Sequence, residues 1–287
     1  MRFCTLLSTC CLTLITLAAS AQKSSLLWEI SGNGLPKPSY VFGTFHLLCP
    51  RDFKLSDTLK GTLAATEQTY LEIDMDDPAL FASMQKLMSL DGGQTIQSLL
   101  PEADYTYLTR FFKDSLKTDL AQVQTMKPFM LTSMLYPKML GCAPTSPEMQ
   151  FVGATLQRKR EVRGLETAES QFAVLEKGGP KKGAEQLVKV VREYTKSKSD
   201  FAELAAKYRQ QNVDELAAQI ENSPEYGELA DDLLWKRNAA WIPVMAGAMG
   251  EKPTFFAVGA GHLGGEKGVL ALLRKRGYAV RPIPVTF

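Results

Sequence analysis

The sequence predicts an α/β domain in which one mixed sheet is built from both ends of the chain and the middle is largely helical. Three observations predict it. Strand-like runs cluster before residue 75 and after residue 253, whereas the stretch between is patterned for helices, interrupted by one short strand-like run. An apolar run followed by Gly-x-x-His occurs near each end, as "YVFGTFH" ending at His46 and "FFAVGAGH" ending at His262. These are the chain's two histidines in 287 residues, and the repeated setting suggests two related halves.

The elements follow in order. "MRFCTLLSTCCLTLITLAASAQ" has one early charge, Arg2, then a short uncharged apolar core closing on Ala19-Ser20-Ala21. That is the pattern of a secretory leader over residues 1–21, so residues 22–287 are expected to form the exported domain. A lipid-anchored reading needs a small residue before the modified cysteine, and Thr9-Cys10-Cys11 does not supply one. "SLLWEIS" (25–31) and "SYVFGTF" (39–45) flank the turn-forming "GNGLPKP" and read as a hairpin. A helix is expected over 55–66, beginning near Ser56. A strand follows over 68–74, with Leu71 and Ile73 on one face and Tyr70, Glu72 and Asp74 on the other. Pro78 opens a helix reaching Leu90.

From Pro101 to Arg160 the pattern is helical, broken at Pro128, Pro137 and the "GCAPTSP" loop. "REVRGLE" (160–166) reads as a short strand, and Thr167 starts a helix that Gly178-Gly179 stops. Three charged amphipathic helices run to about Ile220. Pro224 stands at the start of a long helix with a kink expected at Pro243. "TFFAVGA" (254–260) is a buried strand, "GEKGVLALLRKRG" a helix and "YAVRPIPV" the last strand.

Composition excludes some functions. The formal net charge is +2, and about +1 once Arg2 leaves with the leader, so no field favours nucleic acid or anionic membrane. No stretch after the leader is long and apolar enough to span a bilayer. Three of the five cysteines lie in the leader; Cys49 and Cys142 remain. In an exported chain an even pair suggests a disulfide, with two buried thiols, or Cys49 as a metal ligand through His46-x-x-Cys49, as the alternatives.

Gly259-x-Gly261-x-x-Gly264 after a strand imitates a dinucleotide fingerprint. That motif needs an acid about 20 residues on, and "YAVRPIPV" has none. A steric role for Gly43 and Gly259 is simpler: each lets the chain turn at a strand end and brings His46 or His262 to the sheet's rim, where ligand and catalytic groups gather. One histidine alone would read as a structural imidazole; two in one setting read as a site. Glu72 stands among apolar residues, where an unpartnered carboxylate is costly. Glu166 ends a strand just before a helix N-terminus, Asp74 reads as a turn and cap residue, and Arg237 on the long helix can hold a carboxylate or an oxyanion. Two imidazoles with carboxylates form a mixed N/O donor set suited to Mn, Co, Zn or Fe. Without a metal, a His and a Glu can act as base and acid on water. There is no HExxH and no G-x-S-x-G, so neither zincin nor serine-hydrolase chemistry is indicated.

Taken in order, "YVFGTFH", "YLEID", "GLETAESQ", "WKRNAAW" and "FAVGAGHLGGEKGVLALLRKRGYAV" resemble the TraB/GumN family, which includes the Tiki proteases. The resemblance spans residues 22–287 and implies an exported, metal-dependent (Mn or Co) hydrolase, a peptidase acting on a peptide or protein substrate in the periplasm or outside the cell. It also places the chain in a wider group with erythromycin-esterase-like hydrolases. By position, the motif histidines fall on His46 and His262, the first acid on Glu72, the central Glu-Thr-x-x-x-x-Gln on Glu166 and Gln171, and the helix Arg-Asn on Arg237 and Asn238. The implied roles are metal binding for His46, His262 and Glu72, proton transfer by Glu166 fixed by Gln171, and oxyanion or substrate binding by Arg237. A metal-independent esterase-like hydrolase and a non-catalytic peptide-sequestering protein are the alternatives.

Overall fold

The computed structural model describes residues 24–223 and 227–286. The leader assigned to residues 1–21 and the expected helix start at Pro224 lie outside the described residues. Among the described residues six strands form one sheet: β1 (Leu27–Ser31), β2 (Ser39–Thr44), β3 (Gln68–Leu71), β4 (Glu161–Gly164), β5 (Thr254–Gly259) and β6 (Ala279–Ile283), in the order β4-β3-β5-β2-β1-β6. β4, β3, β5 and β2 are parallel, while β1 is antiparallel to both β2 and β6. The expected mixed sheet from both chain ends is present. β4 is the contribution of the helical middle.

The register decides where the chemistry can sit. Thr44 pairs with Gly259, and Leu71 pairs with both Ala257 and Gly164. β2 and β5 therefore run two residues beyond β3 and β4, and the segments carrying His46, Glu72, Glu166 and His262 all leave from that C-terminal rim. Such a rim is where open α/β sheets bind ligands. β5, late in sequence, is inserted between β2 and β3, so its exit loop is flanked by theirs.

All four residues of β3 and the first five of β5 are buried. A parallel strand covered on both faces has no polar side, so the alternation expected over 68–74 does not hold. β3 ends at Leu71, and Glu72 and Asp74 lie beyond it rather than sharing a strand face. Likewise β4 stops at Gly164, two residues before Glu166. The helix Pro147–Gln157 covers one face, where Phe151 meets Phe42 and Phe255 at ring distances of 5.4 and 5.0 Å. The helix Lys236–Glu251 covers the other; it is continuous through Pro243, and its Ala248 carbonyl accepts from Gln68 Nε2 at 3.1 Å.

The central helices do more than cover the sheet. Ile96, Leu108, Phe112, Leu131, Leu135, Leu187 and Val191 form a second apolar core, built from helices alone. The three charged amphipathic helices are present as Gly179–Arg192, Tyr194–Arg209 and Val213–Glu221.

The glycines of the false fingerprint have packing roles. A Cβ on Gly264 would lie 2.2 Å from the Val213 carbonyl oxygen, and one on Gly43 would lie 2.9 Å from Leu263 and 3.0 Å from Ala260. Neither Gly43 nor Gly259 has a positive φ, so close approach, and not a left-handed turn, disfavours a side chain at Gly43, while a Cβ at Gly259 would crowd the Glu72 carboxylate at 3.2 Å. Gly264→Ala must push the Val213–Glu221 helix off the loop after His262. We expect it to lower unfolding free energy by about 1–3 kcal/mol in urea titration. Gly247→Ala, on an exposed helical position with nothing within 4 Å, is the control, expected to be neutral or to stabilise by about 0.4–1 kcal/mol. Equal effects would contradict the packing account.

Candidate functional site

At the rim the sequence-predicted residues converge. A Cβ on Gly259 would stand 3.2 Å from Glu72 Oε1, 3.5 Å from His262 Cδ2 and 3.8 Å from His46 Nε2. The bare backbone at Gly259 thus leaves an opening onto which both histidines and Glu72 face. The two histidine segments are not twins: Ala260–His262 is a 3-10 turn with His262 buried, whereas Phe45–Leu47 is an irregular loop whose histidine side chain is 66% exposed within the cleft.

Glu72 has every oxygen engaged. Oε1 accepts from the Gly259 amide at 2.7 Å; Oε2 accepts from Gln171 Nε2 at 2.7 Å and from Arg237 Nη2 at 2.6 Å. This resolves the cost of burying an acid among apolar residues. Arg237 also donates from Nε to Glu166 Oε1 at 2.9 Å, with Nη2 on the same oxygen, and from Nη1 to the Leu233 carbonyl at 2.8 Å. Its guanidinium lies 4.8 Å from the Trp241 ring centre, a favourable cation–π placement. Gln171 is 3.5 Å from Glu166 Oε1. The backbone completes the pairing, since the Glu166 amide donates to the Glu72 carbonyl at 3.0 Å.

Asn238, next to Arg237, fixes the state of His262. Its Nδ2 donates to the carbonyls of His262 and Lys267 at 3.1 and 3.0 Å, so its Oδ1 is the atom 2.6 Å from His262 Nδ1. That network assigns the proton to Nδ1. Nε2 is then an acceptor, and Arg237 Nη1 stands 3.2 Å from it.

Glu148 is the residue that sequence reasoning missed. It lies in the first turn of the Pro147–Gln157 helix, is 6% exposed, and accepts from His46 Nδ1 at 2.7 Å and from Ser146 Oγ at 2.8 Å. An acid after Ser-Pro at a helix start has the signature of a capping charge, and no spacing links it to His46, 102 residues away. Two further ties hold its loop to the His46 loop. Leu48 and Thr145 exchange backbone hydrogen bonds at 3.0 and 2.7 Å, and Cys49 is disulfide-bonded to Cys142. The disulfide removes Cys49 from the possible metal ligands. Asp74 stays in the turn after Glu72, but the helix cap is Asp77, which accepts from the Ala79 amide at 2.8 Å.

The electrostatics follow from these contacts. The His46 ring is open to the cleft, but the protein walls around it oppose its charge; the Glu148 carboxylate outweighs them and raises the imidazole to about 9. On Glu148 burial is likewise outweighed by His46, and its pKa falls. His262 goes the other way: burial, aided by Arg237 and His46 and opposed by Glu72, lowers it to about 3. Burial pushes against ionised Glu72, yet His262, Arg237, His46 and the Gly259 amide hold it well below the usual carboxylate range. Burial prevails at Glu166, whose pKa rises despite Arg237.

The donor set has several features of a divalent-cation site. Each histidine has Nδ1 held by an outer partner, Glu148 or Asn238, which is how ligating imidazoles are normally oriented. His46 Nε2, Glu72 Oε1 and the His262 ring edge at Cδ2 border the side-chain-free space at Gly259, and His262 Nε2 is 3.9 Å from that oxygen. These features fit. Among the described residues no group of three or more His, Cys, Asp or Glu stands in a ready cage, and Arg237 takes the His262 lone pair. A cation here requires the guanidinium to give up that contact and His46 to give up its Nε2 proton.

With two histidines in the chain, proton NMR of metal-stripped protein should show one ring titrating near pH 9 and the other neutral until about pH 3. The linkage signs differ. The raised His46 contributes stability below its unfolded pKa, lost as pH rises through 9; the depressed His262 makes stability fall as pH drops from about 6.5 towards 3. Glu148→Gln should lower only the high value. Two ordinary titrations would contradict the geometry.

The chain is 28% identical over 111 residues to Metalloprotease TIKI2 of Danio rerio, covering 38% of this chain and 20% of that one. It is 30% identical over 114 residues to Metalloprotease TIKI1 of Homo sapiens, covering 39% and 20%. The matched stretch thus spans about a fifth of these relatives' length. No solved structure matches the chain. The model of the TraB/PrgY/gumN family matches residues 26–282, nearly all of the chain beyond the expected leader, and the chain belongs to that family.

Proposed function

We propose that this protein is an exported, metal-dependent hydrolase acting on peptide bonds. The observation that carries the reading is the convergence of two outer-held histidines and Glu72 on one opening beside Glu166 and Arg237. The metalloprotease relatives support the peptidase choice. The Cys49–Cys142 disulfide supports export, since such bonds persist in oxidising compartments. Among the described residues no helix is long and apolar enough to cross a membrane.

His46 Nε2, His262 Nε2 and Glu72 are the atoms that would hold the cation; Mn or Co is our choice, with Zn or Fe chemically admissible. When bound, such an ion activates water and polarises a carbonyl. Glu148 orients His46, and Asn238 orients His262. Glu166, with its pKa raised by burial, is suited to take a proton from the attacking water and hand it to the leaving amine. Gln171 and Arg237 fix its carboxyl. Arg237 also places positive charge where an oxyanion develops, worth more in a recessed site than in water.

A metal-independent hydrolase is the second reading, and one observation favours it. Arg237 already neutralises Glu72 and Glu166 and contacts His262 Nε2, as a cation would. In that reading Glu166 and His262 share the acid and base work.

Chelation separates the two. We expect hydrolysis of a peptide library to cease after exhaustive EDTA treatment and to return with Mn or Co, while Glu166→Gln loses about 100-fold or more in kcat with metal affinity kept. Full activity in EDTA would overturn the metal reading in favour of the second. Full activity of Glu166→Gln would remove the proton carrier.

A further inference from the structure

We propose that the cleft contains a dedicated subsite for a large apolar side chain, aromatic or branched aliphatic, next to the bond that is cut. The inference rests on the peptidase reading and names its substrate class: peptides with such a residue beside the scissile amide.

The cavity above the rim measures about 520 Å³, and His46, Glu72, Arg237 and His262 line it. That size accommodates several substrate side chains. One wall is apolar: Phe45, Tyr136, Met139, Phe201 and Leu204. Phe201 is the centre of this wall, with ring centres 5.5 Å from Phe45 and 5.2 Å from a nearly parallel Tyr136. Both the sheet core and the helical core lie within reach, yet Phe45, Tyr136, Phe201 and Leu204 remain only half-buried. They keep part of their surface for the cavity. Because Phe45 immediately precedes His46, the wall is continuous with the chemistry.

The polar groups of the cavity argue in the same direction. Lys189, Glu193, Lys196 and Asp200 line it, two of each sign, and Lys196 donates to Asp200 at 2.6 Å. Apart from the rim's own His46, Glu72 and Arg237, such a balanced set adds no field to select a charged side chain. An apolar wall beside balanced charges suits an uncharged, apolar side chain rather than a sugar or a charged metabolite.

The test measures binding apart from turnover. Blocked pentapeptides Ac-Ala-Ala-X-Ala-Ala-NH2, with X as Phe, Leu, Ala, Asp or Lys, are titrated calorimetrically into the full chain carrying Glu166→Gln. Burying a Phe or Leu side chain predicts binding about tenfold or more tighter than for Ala, Asp or Lys. Phe201→Ala in the same background should flatten that preference. Phe201→Trp, which keeps the wall apolar but fills it, should instead move the preference from Phe to smaller residues, a result misfolding cannot produce. Equal affinity for all five peptides, a preference that survives Phe201→Ala, or capture of decanoate with no peptide bound would each overturn the inference. The two readings fail separately. Sorting of peptides by a wild-type protein that never cleaves them sinks the hydrolase and keeps the subsite. Cleavage indifferent to X sinks the subsite and keeps the hydrolase.

Discussion

Glu72, buried, and Glu166, half-buried, lie side by side just past the ends of two parallel strands, and the guanidinium of Arg237 holds them there. Two carboxylates in a recessed site repel each other and lose hydration, and removing the one partner of such charges typically costs about 3–5 kcal/mol. Arg237 offsets this with bonds to both, and Trp241 covers its face. The rest of the site is arranged around that contact. Gln171 bridges the same two acids, and the next residue on the helix, Asn238, sets the tautomer of His262. The Lys236–Glu251 helix is therefore both the lid of one sheet face and the carrier of the residues that fix the chemistry.

His46 is held by a separate device. Its loop has no regular structure, so its position depends on the opposite loop: the Glu148 carboxylate, the Leu48–Thr145 backbone bridge and the Cys49–Cys142 disulfide. The two halves of the site thus differ in stiffness. His262 is embedded in packed helix and turn, whereas His46 is tethered at a solvent-facing edge. That asymmetry matches their opposite protonation, His46 charged against Glu148 and His262 neutral beneath Trp241.

Much of the fold was legible because it rests on local rules. Period, proline and glycine placed the hairpin, the amphipathic helices and the last β-α-β unit, and the bias of strands to the chain ends predicted how the sheet is assembled. Strand ends were less legible. β3 and β4 are buried on both faces, so no alternation marks where Leu71 or Gly164 stops pairing. The grouping of His46, His262, Glu72, Glu166, Gln171 and Arg237 was suggested by a repeated motif and a family resemblance, and the register of β2, β3, β4 and β5 brings them to one rim. Glu148 was not legible: its partner lies on another loop, and a helix-capping acid looks the same whether or not an imidazole stands opposite. The second helical core escaped too, since amphipathicity says that a face is buried but not against what.

The central claim is that two histidines from distant Gly-x-x-His segments, with Glu72, form one cation site. Its most direct test is calorimetric titration of Mn into metal-stripped protein spanning residues 22–287, beside the His46→Ala/His262→Ala variant at matched fold by circular dichroism. The account predicts one Mn per wild-type chain and no binding to the variant. No binding to the folded wild type, or equal binding to both proteins, would contradict it.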